Sequence, residues 1–148
     1  REAARMLEAG FHLVLGNRRL PSSHFRMTKG VLSKIFPRFL LGLFFNRVVR
    51  LLFPIHATDT QAGLKAMARE TADQVFRHQA CPHYLYDIEM ILTAQALGHR
   101  IVELPVTMHF RDERSTIRIL ATALPAAYWL LLFGAGTCVA PASEPPIG

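Results

Sequence analysis

Ala57-Thr58-Asp59-Thr60-Gln61-Ala62-Gly63-Leu64-Lys65 is the stretch on which the reading of this chain turns. Asp59 is the first acidic residue after Glu8, and the fifty residues between them hold eight Lys or Arg and no Asp or Glu. A single carboxylate closing so basic and apolar a run marks a place where charge is handled. Thr60 and Gln61 add short polar side chains, and glycine at position 63 lets the backbone turn or a ligand come close. Two readings stand open at this level. One is a site that handles an anionic group beside a membrane. The other is a polar loop that caps a helix and opens a strand.

Upstream, residues 2–9 are rich in helix formers (Ala3, Ala4, Met6, Leu7, Ala9), and Gly10 is a natural stop. Phe11 to Leu15 reads as a buried strand ended by Gly16. Helix, glycine, strand and loop in that order are the rhythm of an α/β layer. The loop from Asn17 to about His24 opens with Arg18 and Arg19. It leaves the strand at its C-terminal edge, where open α/β sheets bind ligands. An Arg pair there is either a bidentate phosphate clamp or a solvated loop pair.

Between residues 25 and 55, Val31, Leu32, Ile35, Phe36, Phe39, Leu40, Leu43, Phe44, Val48 and Leu51 recur three and four apart. This is a helical period with a break or kink near Pro37. Lys29, Lys34, Arg38, Arg47 and Arg50 decorate the same run. A basic amphipathic helix of this kind suits an anionic membrane surface. The alternative is a core helix whose Lys and Arg stems reach out to solvent.

Downstream, residues 63–68 read as a short strand and residues 69–78 as a helix. A second helix follows over residues 84–97, closed by Gly98. Asp87 and Glu89 sit near its N-terminus, where negative charge complements the helix dipole. Asp87 and Glu89 have the sequence spacing of a metal pair, but helical positions i and i+2 do not share a face. Arg100 to Val106 is a strand, and Met108-His109-Phe110 leads into the charged loop Arg111-Asp112-Glu113-Arg114-Ser115. Ile119 to Ala140 carries no formal charge over twenty-two residues, long enough to span a bilayer. Tyr128 and Trp129 lie in its middle rather than at its ends, so an interfacial or protein-buried helix is equally open. Residues 141–148 form a tail.

At 148 residues one domain is expected. Hydrophobic residues make up 51% and charged residues 19%, with a net charge of +6. That balance points to an anionic partner. Apolar and aromatic residues interleaved with the positive charges favour a membrane over nucleic acid, for which no recognition motif is present. Cys81 and Cys138 make neither a disulfide framework nor a metal-ligand spacing, which suits a reducing compartment. The first ten residues lack the pattern of a signal peptide, and residue 1 is not Met. The chain therefore reads as part of a longer protein, with an N-terminal portion missing.

Four motifs now stand in order. They are the strand ending Leu15-Gly16-Asn17-Arg18, then Asp59-Thr60-Gln61-Ala62-Gly63, then Tyr86-Asp87-Ile88-Glu89. Last comes Glu103-Leu104-Pro105-Val106 with the Arg111 to Ser115 loop. Together they resemble the second half of family 2 glycosyltransferases that act on polyprenyl phosphates. These include the dolichyl-phosphate glucose and mannose synthases and their bacterial undecaprenyl relatives. The resemblance covers about residues 10–118. Asn17 stands where that family has Ser, Ala62 where Cys or Ser is usual, and Thr116 where Lys follows the loop serine.

The resemblance implies an α/β fold: residues 1–118 as the acceptor-side part of a Rossmann-like GT-A domain, then a hydrophobic membrane-associated or spanning helix over 119–140. It implies inverting transfer of a sugar from UDP-glucose or GDP-mannose to a dolichyl or undecaprenyl phosphate at the cytoplasmic face of a membrane. By the same resemblance Asp59 and Gln61 are catalytic. Arg18, Arg26, Thr60, Arg111, Arg114 and Ser115 bind substrate, and Asp87 and Glu89 support the fold and the acceptor loop. A divalent metal, Mg or Mn, is expected on an Asp-x-Asp motif in the family's nucleotide-binding half, which this chain lacks. The isolated piece is expected to be inactive.

The chemistry suits these residue types. A phosphate monoester is largely ionised near neutral pH, with a second pKa of about 6 by analogy with phosphoamino acids. Such a nucleophile needs positioning and charge compensation, which guanidinium groups provide. Two alternatives remain. One is a non-catalytic basic membrane-binding or adaptor module. The other is a processive polysaccharide synthase, which should carry Gln-x-x-Arg-Trp; Trp129 has no such context.

Overall fold

The computed structural model describes residues 1–27, 32–79 and 85–110. Two helix-to-strand units with the same ending build its sheet. Helix α1 (Glu2–Glu8) stops at Gly10, whose φ of 86° suits a residue without Cβ. Gly10 N–H donates to the Leu7 carbonyl and Phe11 N–H to the Met6 carbonyl, the paired bonds of a Schellman end. Helix α4 (Tyr86–Ala96) ends the same way at Gly98, with φ of 74° and bonds from Gly98 to Gln95 and from His99 to Ala94. Each glycine turns the chain straight into a strand, β1 (Leu13–Asn17) after α1 and β4 (Ile101–Pro105) after α4. These strands pair in parallel, with Leu13 opposite Ile101 and Asn17 opposite Pro105.

Strand β3 (Lys65–Met67) covers the other edge of β1 and runs antiparallel to it, Leu13 opposite Met67 and Leu15 opposite Lys65. The three-stranded sheet has the order β3-β1-β4, so β1 is central and buried along its whole length. A separate parallel pair joins β2 (His24–Met27) to β5 (Thr107–Phe110). The protein is thus mixed α/β.

The core gathers Leu13 and Leu15 of β1, Val49 and Phe53 at the end of helix α2 (Leu32–Leu52), Val75 of helix α3 (Arg69–Arg77), and Ile88 and Ile91 of α4. Burying each such aliphatic side chain is worth about 1.5–3 kcal/mol relative to leaving it exposed. Helices α3 and α4 contact each other, and both send apolar side chains into this core.

Several expectations are corrected. Gly16 does not end β1 but sits inside it, opposite Leu104. A Cβ there would lie 2.9 Å from both Leu64 Cβ and Val106 Cγ1, so glycine permits close approach of two neighbours. Residues 24–27 and 107–110 are strands rather than helix start and connector. Each is too short to show a period, and only their mutual pairing makes them strands. Of the break or kink expected near Pro37, the break is absent: helix α2 runs on through it. Its apolar residues are also not confined to one face. Val49 and Phe53 are buried, while Leu40, Leu41, Phe44, Leu51 and Leu52 are exposed, Leu51 to 84%. No helix among the described residues is long and apolar enough to cross a membrane. The segment 119–140 and the tail lie outside the described residues.

Candidate functional site

Strands β1 and β4 end side by side, and the stretch from Ala57 to Lys65 crosses in front of them. Its first part, through Ala62, is irregular yet largely buried: Asp59 is 1% exposed and Thr60 fully covered, while Leu64 is 46% exposed. Buried polar groups without a ladder must find partners elsewhere, and three side chains supply them, two of them to the backbone of the stretch. Glu103 of β4 accepts from Thr58 N–H at 2.8 Å, Thr58 Oγ1–H at 2.9 Å and Asp59 N–H at 3.2 Å. Asn46 of α2 donates through Nδ2 to the Thr58 carbonyl at 3.1 Å, and its Oδ1 accepts from Thr60 N–H at 3.2 Å and Thr60 Oγ1–H at 3.1 Å. Asn17 of β1, fully buried, donates to Thr58 Oγ1 and accepts from Arg19 N–H at 2.6 Å. Leaving any one of these buried groups without a partner would cost about 1–3 kcal/mol.

The frame holds one ion pair. Arg18, first in the loop after β1, donates Nε to Asp59 Oδ2 at 2.7 Å and Nη2 to Oδ1 at 2.8 Å. Its backbone N–H adds a third bond to Oδ2 at 3.0 Å, and Gln61 N–H bonds Oδ1 at 3.3 Å. Both carboxylate oxygens therefore accept twice. Burial alone would push the Asp59 carboxyl up. The Arg18 side chain, the Arg18 backbone N–H, the Arg18 charge and the Gln61 N–H outweigh it and hold the group below the usual carboxylate range. The Arg18 guanidinium is raised in turn, chiefly by its hydrogen bonds to Asp59. The Asp59 side chain is closed to solvent, whereas 31% of the Arg18 side chain is open. Both Asp59 oxygens are used within this network, and Nη1 of Arg18 takes no part in the pair. Burial lowers the Arg19 guanidinium, Asp59 opposes this, and the charges of Arg18 and Arg50 add to the lowering. The last contribution places the end of α2 in the field of this edge.

The expected site residues divide into groups. Arg18, Asp59, Thr60 and Gln61 come together here. Thr60 is fully buried, and its N–H and hydroxyl are taken by Asn46, so it holds the frame rather than facing a substrate. The Gln61 amide nitrogen is buried and has no acceptor among the described residues, which leaves a donor beside Asp59. Arg26 is exposed on β2, opposite His109, and is not joined to this network. Asp87 pairs with Lys65 Nζ at 3.0 Å, while Lys65 Nζ also donates to the Ala62 carbonyl at 2.6 Å. That pair ties the start of α4 to the far end of the Asp59 stretch. Glu89 is 3% exposed inside α4. Arg111, Arg114 and Ser115 lie outside the described residues.

Three contributors carried no expected role: Asn46, Asn17 and Glu103. Glu103 stood within a quoted motif, but Asn46 was one polar residue in a greasy run, and that polarity was its only signal. Among the described residues no three His, Cys, Asp or Glu side chains stand together to hold a metal ion. A cavity of about 550 Å³ lies beside the network, lined by residues that include His56, Gln95, His99 and Glu103. It meets the network at Ala57 and Glu103 and does not include Arg18 or Asp59.

No protein-family profile matches the chain, and no solved structure matches it. Sixty-two residues are 36% identical to part of Glycosyltransferase AglD of Haloferax volcanii, a match that covers 42% of this chain. The match spans about 10% of that protein's length. The chain thus shares a partial similarity with a glycosyltransferase.

Proposed function

We propose that the protein of which this chain is part transfers a sugar from a nucleotide-sugar to a polyprenyl phosphate at a membrane surface, with inversion. Residues 1–118 are the acceptor-side part of a family 2, GT-A-type domain, and 119–140 are its membrane-associated helix. The observation that carries the reading is the Arg18–Asp59 pair at the carboxyl edge of the sheet. A buried carboxylate takes Nε and Nη2 and aims the rest of the guanidinium outward.

In this reading a lipid phosphate oxygen attacks the anomeric carbon and forms the new C–O bond. The bond from that carbon to the donor's diphosphate oxygen breaks, and the nucleoside diphosphate leaves with the electron pair. Arg18 Nη1 compensates phosphate charge, and the Gln61 amide donates to phosphate or sugar oxygens. Asp59 touches no substrate. It is a positioning residue that fixes Arg18. UDP-glucose and GDP-mannose are the donors to try. The residues described do not form a site for the divalent ion the resemblance implies, and no step here passes through one. The exposed Leu40, Leu41, Phe44 and Leu51 of α2, with Arg47 and Arg50 beside them, suit an anionic leaflet on the cytoplasmic side.

The test is transfer of labelled sugar by the full-length protein to undecaprenyl or dolichyl phosphate in vesicles, read as label extracted with the lipid. Transfer that collapses in Arg18→Lys and in Asp59→Asn, with both variants folded, supports the reading. Wild-type turnover in Arg18→Lys, or no transfer from either donor, overturns it. The exposed apolar and basic face of α2 also supports a second reading, a non-catalytic membrane-binding module. That module would bind anionic vesicles and transfer nothing.

A further inference from the structure

Asn46 lies 1% exposed in α2, in a run of Leu, Phe, Val and Arg from Leu43 to Leu52. A buried amide there is costly unless every polar atom is used, and it is used on one short segment. Its Nδ2 takes the carbonyl of Thr58 and its Oδ1 takes the N–H of Thr60. A single planar amide thus bridges positions i and i+2, as the N–H and C=O of one residue on a neighbouring parallel strand would. Asp59 is the residue between them. Its direction is therefore set by Asn46 on one side and by Glu103, which holds its N–H, on the other. Only a side-chain amide offers a donor and an acceptor in one plane at this length; Asp lacks the donor and Leu lacks both.

We propose that Asn46 is a positioning residue of the candidate site, clamping Thr58–Thr60 so that the Asp59 carboxylate meets Arg18 in register. Through it the Asp59 stretch is bolted to α2, the helix whose outer face carries Phe44, Arg47 and Leu51. The consequence for transfer rests on the function proposed above, but the clamp itself can be tested without any substrate.

The test is titration of the Asp59 side-chain carboxyl by carbon-detected NMR in the full chain, assigned with Asp59→Asn. The charged groups around it are Arg18 and Arg19 from the end of β1, Glu103 from β4, and Arg50 of α2 at longer range. Asn46→Ala removes none of them, so a change in the titration reports geometry. The expected result is an Asp59 midpoint moved up from its depressed value in Asn46→Ala, with Val49→Ala, a packing change in the same helix, leaving it unmoved. An unmoved midpoint in Asn46→Ala, or an equal rise in Val49→Ala, overturns the assignment. Should Asn46→Ala fail to fold, Asn46→Ser gives the same readout with a smaller change. An unmoved titration sinks the clamp and leaves transfer to be measured. Absence of transfer sinks the enzyme and leaves the clamp standing.

Discussion

Arg18 and Asp59, forty-one positions apart in the chain, meet fork to fork: Nε on Oδ2 at 2.7 Å and Nη2 on Oδ1 at 2.8 Å. The pair is asymmetric, because the carboxylate side chain is closed to water while 31% of the arginine side chain is open. Removing the arginine strands a buried charge, whereas removing the carboxylate leaves a cation that water can reach.

That asymmetry predicts unequal stability losses. Breaking a buried pair from one side costs about 3–5 kcal/mol, and the partial exposure of Arg18 puts this one at the low end, about 3 kcal/mol for Arg18→Ala. Asp59→Asn keeps the shape and should cost less. The double variant should cost less than the sum of the two. Urea denaturation of the single and double variants checks all three statements.

Acid should erase the difference between wild type and Asp59→Asn. The folded Asp59 carboxyl titrates below its ordinary 3.8. Its contribution is therefore fully present above that value and is lost as pH falls through the folded pKa. Stability measured down the acid range should converge for the two proteins below pH 3.8. A gap that stays constant would mean the pair contributes nothing through ionisation.

Gly16 and Gly63 should respond oppositely to alanine. At Gly16, buried within β1, the new methyl would meet Leu64 Cβ and Val106 Cγ1 at 2.9 Å and the Leu64 carbonyl oxygen at 3.3 Å. Overpacking of that kind costs about 1–3 kcal/mol. At Gly63 nothing lies within 4 Å, so Gly63→Ala should leave the denaturation midpoint near wild type. Comparing the two midpoints decides it.

His99 carries a mild pH dependence of its own. Burial lowers its imidazole below the ordinary 6.5, and the neighbouring His12 ring, with centroids 5.1 Å apart, adds to that. A group whose folded pKa is depressed binds fewer protons folded than unfolded between the two values. Stability is therefore highest above about pH 6.5 and falls as pH drops through that window. His99→Gln should flatten this part of the stability–pH curve, measured by thermal melts across neutral and mildly acidic buffers.

Local chemistry made much of the fold readable. Gly10 and Gly98 end helices because only glycine takes a positive φ cheaply, and that follows from the residue itself. The helices at 69–77 and 86–96 follow from apolar spacing, and the strand at 101–105 from a short apolar run between turn signals. The pairing of β2 with β5 was not readable. Four-residue strands carry too little pattern, and their partner lies over eighty positions away.

The sequence by itself singled out Arg18 and Asp59 as candidates. A lone carboxylate after fifty basic and apolar residues, and an arginine at a strand's end, are visible in one dimension. The tertiary structure alone decided how each of them is held. It turned Asp59 inward, filled both its oxygens, left the arginine facing out, and recruited Asn46 and Glu103 to hold the turn. The reason is physical: a hydrogen-bond partner is chosen by distance and burial, and neither is written in the order of residues along the chain.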